Sequence, residues 1–267
     1  MSKPSRRSWA ALLAVSALLV AGCGSSAGST TKATTTTAQG LKGEITVSAA
    51  SSLTEAFDKL GADFHAAHPN ATVRATYDSS TILSSQIIEG APADLFASAD
   101  ETNMAALTGK HLVAGKPEDF ARNELVIVTK PGNPEGITTL ADLAGVGVVS
   151  LCGADVPCGK FAEQALDKAN VAVDEGSITR GQNAKATLTA VTEGDAVAGI
   201  VYVTDARAAG AKVDAVPIPA DLNVIATYPI AVLKGTSDAP VAQAFEDYVL
   251  SPAGQATLQE FGFLAPR

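Results

Sequence analysis

Two serine-bearing turns are the part of this sequence best suited to holding a small ligand. In Ile45-Thr46-Val47-Ser48-Ala49-Ala50-Ser51-Ser52-Leu53-Thr54-Glu55 a β-type run ends in small residues. It then passes through serines into apolar positions at helical spacing: Leu53, Ala56, Phe57, Leu60 and Phe64. Ser52 with Glu55 fits a capping box, and on this segment alone a cap is the simpler reading. The alternative is a seat for an anion, because a strand-to-helix turn of tiny residues leaves N–H groups and a hydroxyl facing outward. The pattern then recurs. Residues 71–76 read as a strand, Tyr77-Asp78-Ser79-Ser80-Thr81 breaks it, and Ile82, Leu83 and Ile87 mark a short helical face ended by Gly90.

Other chemistries find little support. Residues 43–267 hold no G-x-S-x-G elbow and no S-x-x-K pair, and no histidine neighbours Ser52 or Ser80 in the sequence. His65, His68 and His111 fall in a helical stretch, at its polar end and in a loop, without metal-ligand spacing, and read as surface residues. Arg74, Arg122, Arg180 and Arg207 belong to no cleft motif, which argues against a carboxylate ligand. The formal charge of −9 argues against nucleic acid and against a polybasic membrane patch.

The elements that must position the serines begin after an address. Lys3, Arg6 and Arg7 precede an apolar run from Trp9 to Val20, too short for a membrane span, and residues 1–22 read as a signal peptide. Leu19-Val20-Ala21-Gly22-Cys23 resembles a bacterial lipobox, which implies lipidation of Cys23. Loss of 1–22 removes three basic side chains and the only tryptophan. Residues 23–42 are rich in Ser, Thr, Gly and Ala and read as a flexible tether.

Roughly 225 residues remain, enough for two lobes of about 100 each. Strand alternating with helix predicts α/β lobes, each a mixed, mostly parallel sheet flanked by helices, with a site at the carboxyl ends of the strands. Asp100 reads as a helix N-cap, and residues 125–129 as an apolar strand leading into a second lobe. There residues 146–151 and 196–203 read as strands, and 157–168 and 184–192 as helices. The apolar run 225–233 reads as the return crossing, and helices bearing Val241, Phe245, Tyr248, Leu258 and Phe261 would pack back on lobe one. Lobe 1 is thus expected over 43–124 and 228–267 and lobe 2 over 125–227, with a hinge and a closing cleft.

Five segments occur in register: Ala49-Ala50-Ser51-Ser52-Leu53-Thr54, Ser79-Ser80-Thr81, Gly90-Ala91-Pro92-Ala93-Asp94-Leu95-Phe96, Val156-Pro157-Cys158-Gly159 and Gly199-Ile200-Val201-Tyr202. Together they resemble the molybdate-binding proteins of bacterial ABC importers. The resemblance implies a two-lobed periplasmic-binding-protein fold of type II and no enzymatic activity. It implies a tetrahedral oxyanion, molybdate and also tungstate, held by neutral donors without direct protein–metal bonds. Carried over by position, the donors are the hydroxyls and amides of Ser52 and Ser80, the amides of Cys158 and Ala184, and the Tyr202 hydroxyl. The implied partners are a permease and its ATPase, met by a lipid-anchored monomer on the outer face of the membrane, with no cofactor. Sulfate or phosphate remains the alternative ligand.

Cys158 departs from the small residue common at its position, which an amide donor tolerates. Cys152 and Cys158, with five residues between them in an exported chain, are expected to form a disulfide. Asn183 reads as a plain N-cap. Asp78 reads as a turn residue or cap, although its carboxylate could accept the proton that phosphate carries. Tyr77, Tyr228 and Tyr248 read as packing residues, whereas Tyr202 ends an apolar strand and could lay its ring on the core while its hydroxyl reaches a cleft.

Overall fold

A computed structural model describes residues 40–266. The expected signal segment 1–22, the lipidation site Cys23 and all but the end of the tether lie outside the described residues. The chain runs β1 (Gly43–Ala50), α1 (Thr54–Ala67), β2 (Ala71–Asp78), α2 (Ser80–Ile88), β3 (Leu95–Ala97), α3 (Glu101–Gly109) and the long β4 (Glu118–Thr129). It continues through β5 (Val149–Cys152), α4 (Pro157–Lys168), β6 (Ile178–Gly181), α5 (Ala184–Thr192), β7 (Ala198–Tyr202) and α6 (Val203–Ala209). The last elements are β8 (Asp214–Pro217), β9 (Ile225–Val232), α7 (Ala239–Leu250) and α8 (Pro252–Glu260).

The strands form one sheet in the order β2-β1-β3-β9-β4-β7-β5-β6, with β8 also on β4. β4 joins two halves by changing partners along its length. Glu118–Glu124 pairs with β9, whereas Leu125–Thr129 pairs with β7 and β8. β9 in turn pairs with β4 and β3. Just before β9, Asn223 clasps the point where β4 changes partner: its Oδ1 accepts Leu125 N–H at 3.0 Å and its Nδ2 donates to Leu125 O at 2.8 Å. The sheet is mixed as expected, but evenly so rather than mostly parallel. β1 with β2 and β3, and β5 with β6 and β7, run parallel. Every pair made by β4 or β9 is antiparallel, because these strands return across the junction.

Packing follows the sequence pattern. All five predicted apolar positions of α1 and its entry turn are buried. Phe57 and Phe64 meet Phe245 of α7 edge-on at centroid distances of 6.1 and 5.3 Å, and Phe57 meets Phe120 of β4 at 5.7 Å. The closing helices therefore do pack back on the first half. The Gly90–Phe96 segment has a structural role: Asp94 Oδ2 accepts Thr46 N–H at 2.7 Å and fixes the entry of β3 beside β1. Among the described residues no helix is long and apolar enough to cross a membrane.

Candidate functional site

The carboxyl ends of β1, β2, β3, β5, β6 and β7 all deliver residues to one small cavity between the two halves. It is lined by Ala50, Ser51, Ser52, Asp78, Ser79, Ser80 and Ala99 from the first half. Pro157, Cys158, Asn183, Ala184 and Tyr202 come from the second. All five sequence-predicted site residues are therefore brought together. About 10 Å³ is open to the centre of a water-sized sphere, close to the room one water needs.

Four helix starts converge there. Ser80 and Ala184 are the first residues of α2 and α5, Cys158 the second of α4, and Ser52 sits in the 3₁₀ turn Ser51–Leu53 that opens α1. No preceding helical turn supplies carbonyls to such amides, so they are left as donors at the positive ends of the helix dipoles. The capping box expected of Ser52 and Glu55 is not formed, and α1 begins without a side-chain cap. Ser52 Oγ instead lies 2.9 Å from Tyr228 Oη, while Glu55 bonds Lys185. The cap of α2 falls to Ser79, whose Oγ accepts Ile82 N–H at 3.3 Å. This leaves Ser80 free for the cavity, with its Oγ accepting Ala99 N–H at 2.8 Å.

In the second half Cys152 and Cys158 are joined by the expected disulfide, with Cα atoms 5.7 Å apart. It ties the end of β5 to the start of α4. Gly159 fits the same loop because a Cβ there would fall on the Gly153 carbonyl. Asn183 caps α5, accepting Ala186 N–H at 3.0 Å, as expected. Tyr202 is 2% exposed and lines the cavity, yet its hydroxyl has no hydrogen-bond partner among the described residues. Burial pushes that hydroxyl well above its ordinary pKa, so it remains a proton donor. An unsatisfied buried hydroxyl at a cavity wall, with amides around it, fits a ligand that only accepts hydrogen bonds.

Asp78 is more than a turn residue. Its Oδ1 accepts Ser79 N–H at 2.7 Å and, across the cleft, Asn183 Nδ2 at 2.8 Å. Thr81 Oγ1 likewise donates to Asp155 O at 3.1 Å, and Lys185 Nζ reaches Glu55 Oε1 at 2.7 Å. Lys185 also lies 3.5 Å from Asp205 Oδ1, whose buried carboxyl is pushed up to about 6 by desolvation while Lys185 pulls it down. Among the described residues no lysine or arginine lines the cavity. Arg74 and Arg180 pair with surface glutamates, and Arg122 and Arg207 donate to backbone carbonyls near the C-terminus.

Sequence reasoning missed Tyr228 and Asn123 as neighbours of the site. Tyr228 is fully buried in an aromatic cluster with Tyr202, Phe120 and Phe263. Asn123 Nδ2 donates to Thr204 Oγ1 at 2.9 Å and to Tyr228 Oη at 3.4 Å. A buried asparagine next to an apolar strand was the available signal.

Residues 45–264 match a family described as bacterial extracellular solute-binding protein. The chain is 38% identical over 256 residues to a molybdate-binding protein of Mycobacterium tuberculosis, covering 94% of this chain and 96% of that one. Among solved structures, the periplasmic molybdate-binding protein of Azotobacter vinelandii superposes with a TM-score of 0.76 at 22% identity, covering 84% of this chain and all of the other. A sulfate-binding protein of Mycobacterium tuberculosis superposes with a TM-score of 0.72 at 19% identity, covering 82% and 86%. These two share the fold, and the fold alone does not choose between their ligands. The family match and the 38% identity decide membership: this chain belongs to the bacterial extracellular solute-binding proteins, in the same family as the molybdate-binding protein of Mycobacterium tuberculosis.

Proposed function

We propose that this protein captures molybdate, and also tungstate, between its two halves and delivers it to an ABC permease with its ATPase. The observation that carries the reading is the chemistry of the cavity wall, where four helix starts and the hydroxyl-bearing Ser52, Ser80 and Tyr202 meet with no lysine or arginine among the described residues. A hydrogen bond to a charged acceptor contributes roughly 1.5–3 kcal/mol. About seven such bonds offer roughly 10–20 kcal/mol before desolvation and ordering are subtracted. Tight binding therefore needs no cation. The name of the relative at 38% identity supports molybdate among the tetrahedral dianions.

In this reading Ser52 and Ser80 belong to lobe 1 (43–124 and 228–267) and Cys158, Ala184 and Tyr202 to lobe 2 (125–227). The full donor set then forms only when the cleft is closed, so closure reports occupancy. Residues 1–22 act as an export signal, Cys23 carries the lipid, and residues 23–42 tether a monomer to the outer face of the cell membrane. No cofactor and no catalytic step are involved.

One observation favours a second reading. The Asp78 carboxylate on the wall could accept the proton of hydrogen phosphate. Isothermal titration with molybdate, tungstate, sulfate and phosphate separates the two. Tight one-to-one molybdate and tungstate binding, with sulfate and phosphate far weaker, is expected. A preference for phosphate or sulfate overturns the assignment while leaving the cleft in place.

A further inference from the structure

Of the contacts Asp78 with Asn183, Thr81 with Asp155 and Lys185 with Glu55 that cross the cleft, only the first has both partners on the cavity wall. Asn183 Nδ2 donates to Asp78 Oδ1 at 2.8 Å, and Asn183 is only 8% exposed, so water screens this contact less than the partly exposed ion pair.

Each partner is oriented by its own half. Asn183 Oδ1 accepts Ala186 N–H at 3.0 Å and its carbonyl accepts Thr187 N–H at 3.1 Å, so the start of α5 leaves Nδ2 as the free end of the side chain. That nitrogen can only donate, so its partner across the cleft must accept. Asp78 ends β2 in register with Ala50 of β1, and the same Oδ1 takes Ser79 N–H at 2.7 Å. Both residues sit next to proposed donors. Ser80 opens α2 two residues after Asp78, and Ala184 opens α5 directly after Asn183. Resting on the oxyanion function proposed above, we infer that Asp78 and Asn183 form a cross-cleft positioning pair that sets the spacing of the α2 and α5 helix starts, so that Ser80 and Ala184 reach one ligand together.

The charge of Asp78 fits this role better than a role on the ligand. A carboxylate beside a dianion repels it, so direct contact gives no reason for one here. A carboxylate is, however, a stronger acceptor for N–H groups than a neutral oxygen. The two N–H groups it takes belong to the starts of α2 and α5, one on each side of the cleft.

The test uses variants of the intact protein that separate the bond from the charge, with molybdate affinity read by calorimetry. Asp78→Asn and Asp78→Ala remove the same charge, but only the first keeps an oxygen for Asn183 Nδ2. Molybdate should bind about tenfold more weakly to Asp78→Ala than to Asp78→Asn. Asn183→Ser keeps a good cap for α5 and removes the amide that crosses the cleft. Alone it should weaken binding by about tenfold, and in its background the two Asp78 variants should differ by less than about twofold. Equal affinities for Asp78→Asn and Asp78→Ala, native affinity in Asn183→Ser, or a difference that persists in that background each overturn the inference and leave the function standing. Failure of the unmodified protein to bind molybdate overturns the function and the inference with it.

Discussion

The two halves of the sheet serve one cavity by different means. The first contributes serine hydroxyls that already have protein partners: Ser52 with Tyr228, and Ser80 with Ala99 N–H. The second brings the helix starts that carry Cys158 and Ala184, whose amides are the proposed donors, and a Tyr202 hydroxyl that has none. A partnered donor is held in place by the fold itself. An unpartnered one is a standing penalty that a ligand relieves. The first half should therefore lose both stability and affinity when a donor is removed, and the second affinity alone.

The largest effect should come from Ala184→Pro. Proline is tolerated at the first helical position, where the lost N–H has no intrahelical partner. Asn183 before it is already extended at φ −155 and ψ 177, as a residue preceding proline prefers. The helix should persist while the ring replaces the donor and crowds the cavity. Molybdate affinity is expected to fall by roughly 3 kcal/mol, with the thermal midpoint little changed. Near-native affinity would remove this amide from the site.

Tyr202→Phe and Ser80→Ala set the halves against each other. Each should weaken molybdate binding by about 1–3 kcal/mol. Without ligand, Tyr202→Phe should be as stable as the native protein or more so by about 1 kcal/mol, since an unsatisfied buried hydroxyl is gone. Ser80→Ala should be less stable by a similar amount, about 1 kcal/mol, because Ala99 N–H loses its acceptor. Denaturant titration of both ligand-free variants checks the sign. The same sign in both would break the contrast between the halves.

The contrast also explains what could be read in advance. Ser52 and Ser80 announce themselves because a side chain supplies part of the chemistry, and small residues around a strand-to-helix turn are an unusual pattern. The role proposed for Cys158 and Ala184 uses backbone that any residue would provide, so only the resemblance pointed to them. The α/β alternation and the apolar face of α1 were legible because burial writes periodicity into sequence. The first half of β4 was missed because Glu118, Asp119, Arg122 and Glu124 interleave with its buried residues. The short β6 and β8 lie partly exposed and carry too few residues for a period to show. Tyr228 read as packing because nothing in its local sequence reports a hydroxyl partner 176 residues away.

Replacing Cys152 and Cys158 by serine probes a feature that only the second half has. The closed loop is short, so the loss should be about 2 kcal/mol of stability. Affinity should fall as well, because the bridge holds the first turn of α4 and with it the Cys158 amide. Lost stability with unchanged affinity would show that α4 keeps its place without the bridge.

The smallest expected effect concerns the contact that joins the halves. Lys185 follows Ala184 and bonds Glu55, three residues after Ser52, so one ion pair ties together two of the helix starts that line the cavity. Within its own half Lys185 is already drawn toward the buried Asp205 at 3.5 Å, so the cation stays in position whether or not Glu55 is near. In the closure proposed above, Glu55 is then added without much further ordering of the lysine. Because both partners are partly exposed, with 28% and 39% of their side-chain surface accessible, water screens the pair. Its contribution should be about 0.5 kcal/mol. Glu55→Gln is the variant to use, since removing Lys185 would strand Asp205. A roughly twofold faster release of molybdate in stopped flow is expected, with the difference vanishing at high salt. If release is unchanged at low salt, the ion pair does not discriminate between open and closed forms, and closure rests on Asp78 with Asn183 and on the ligand itself.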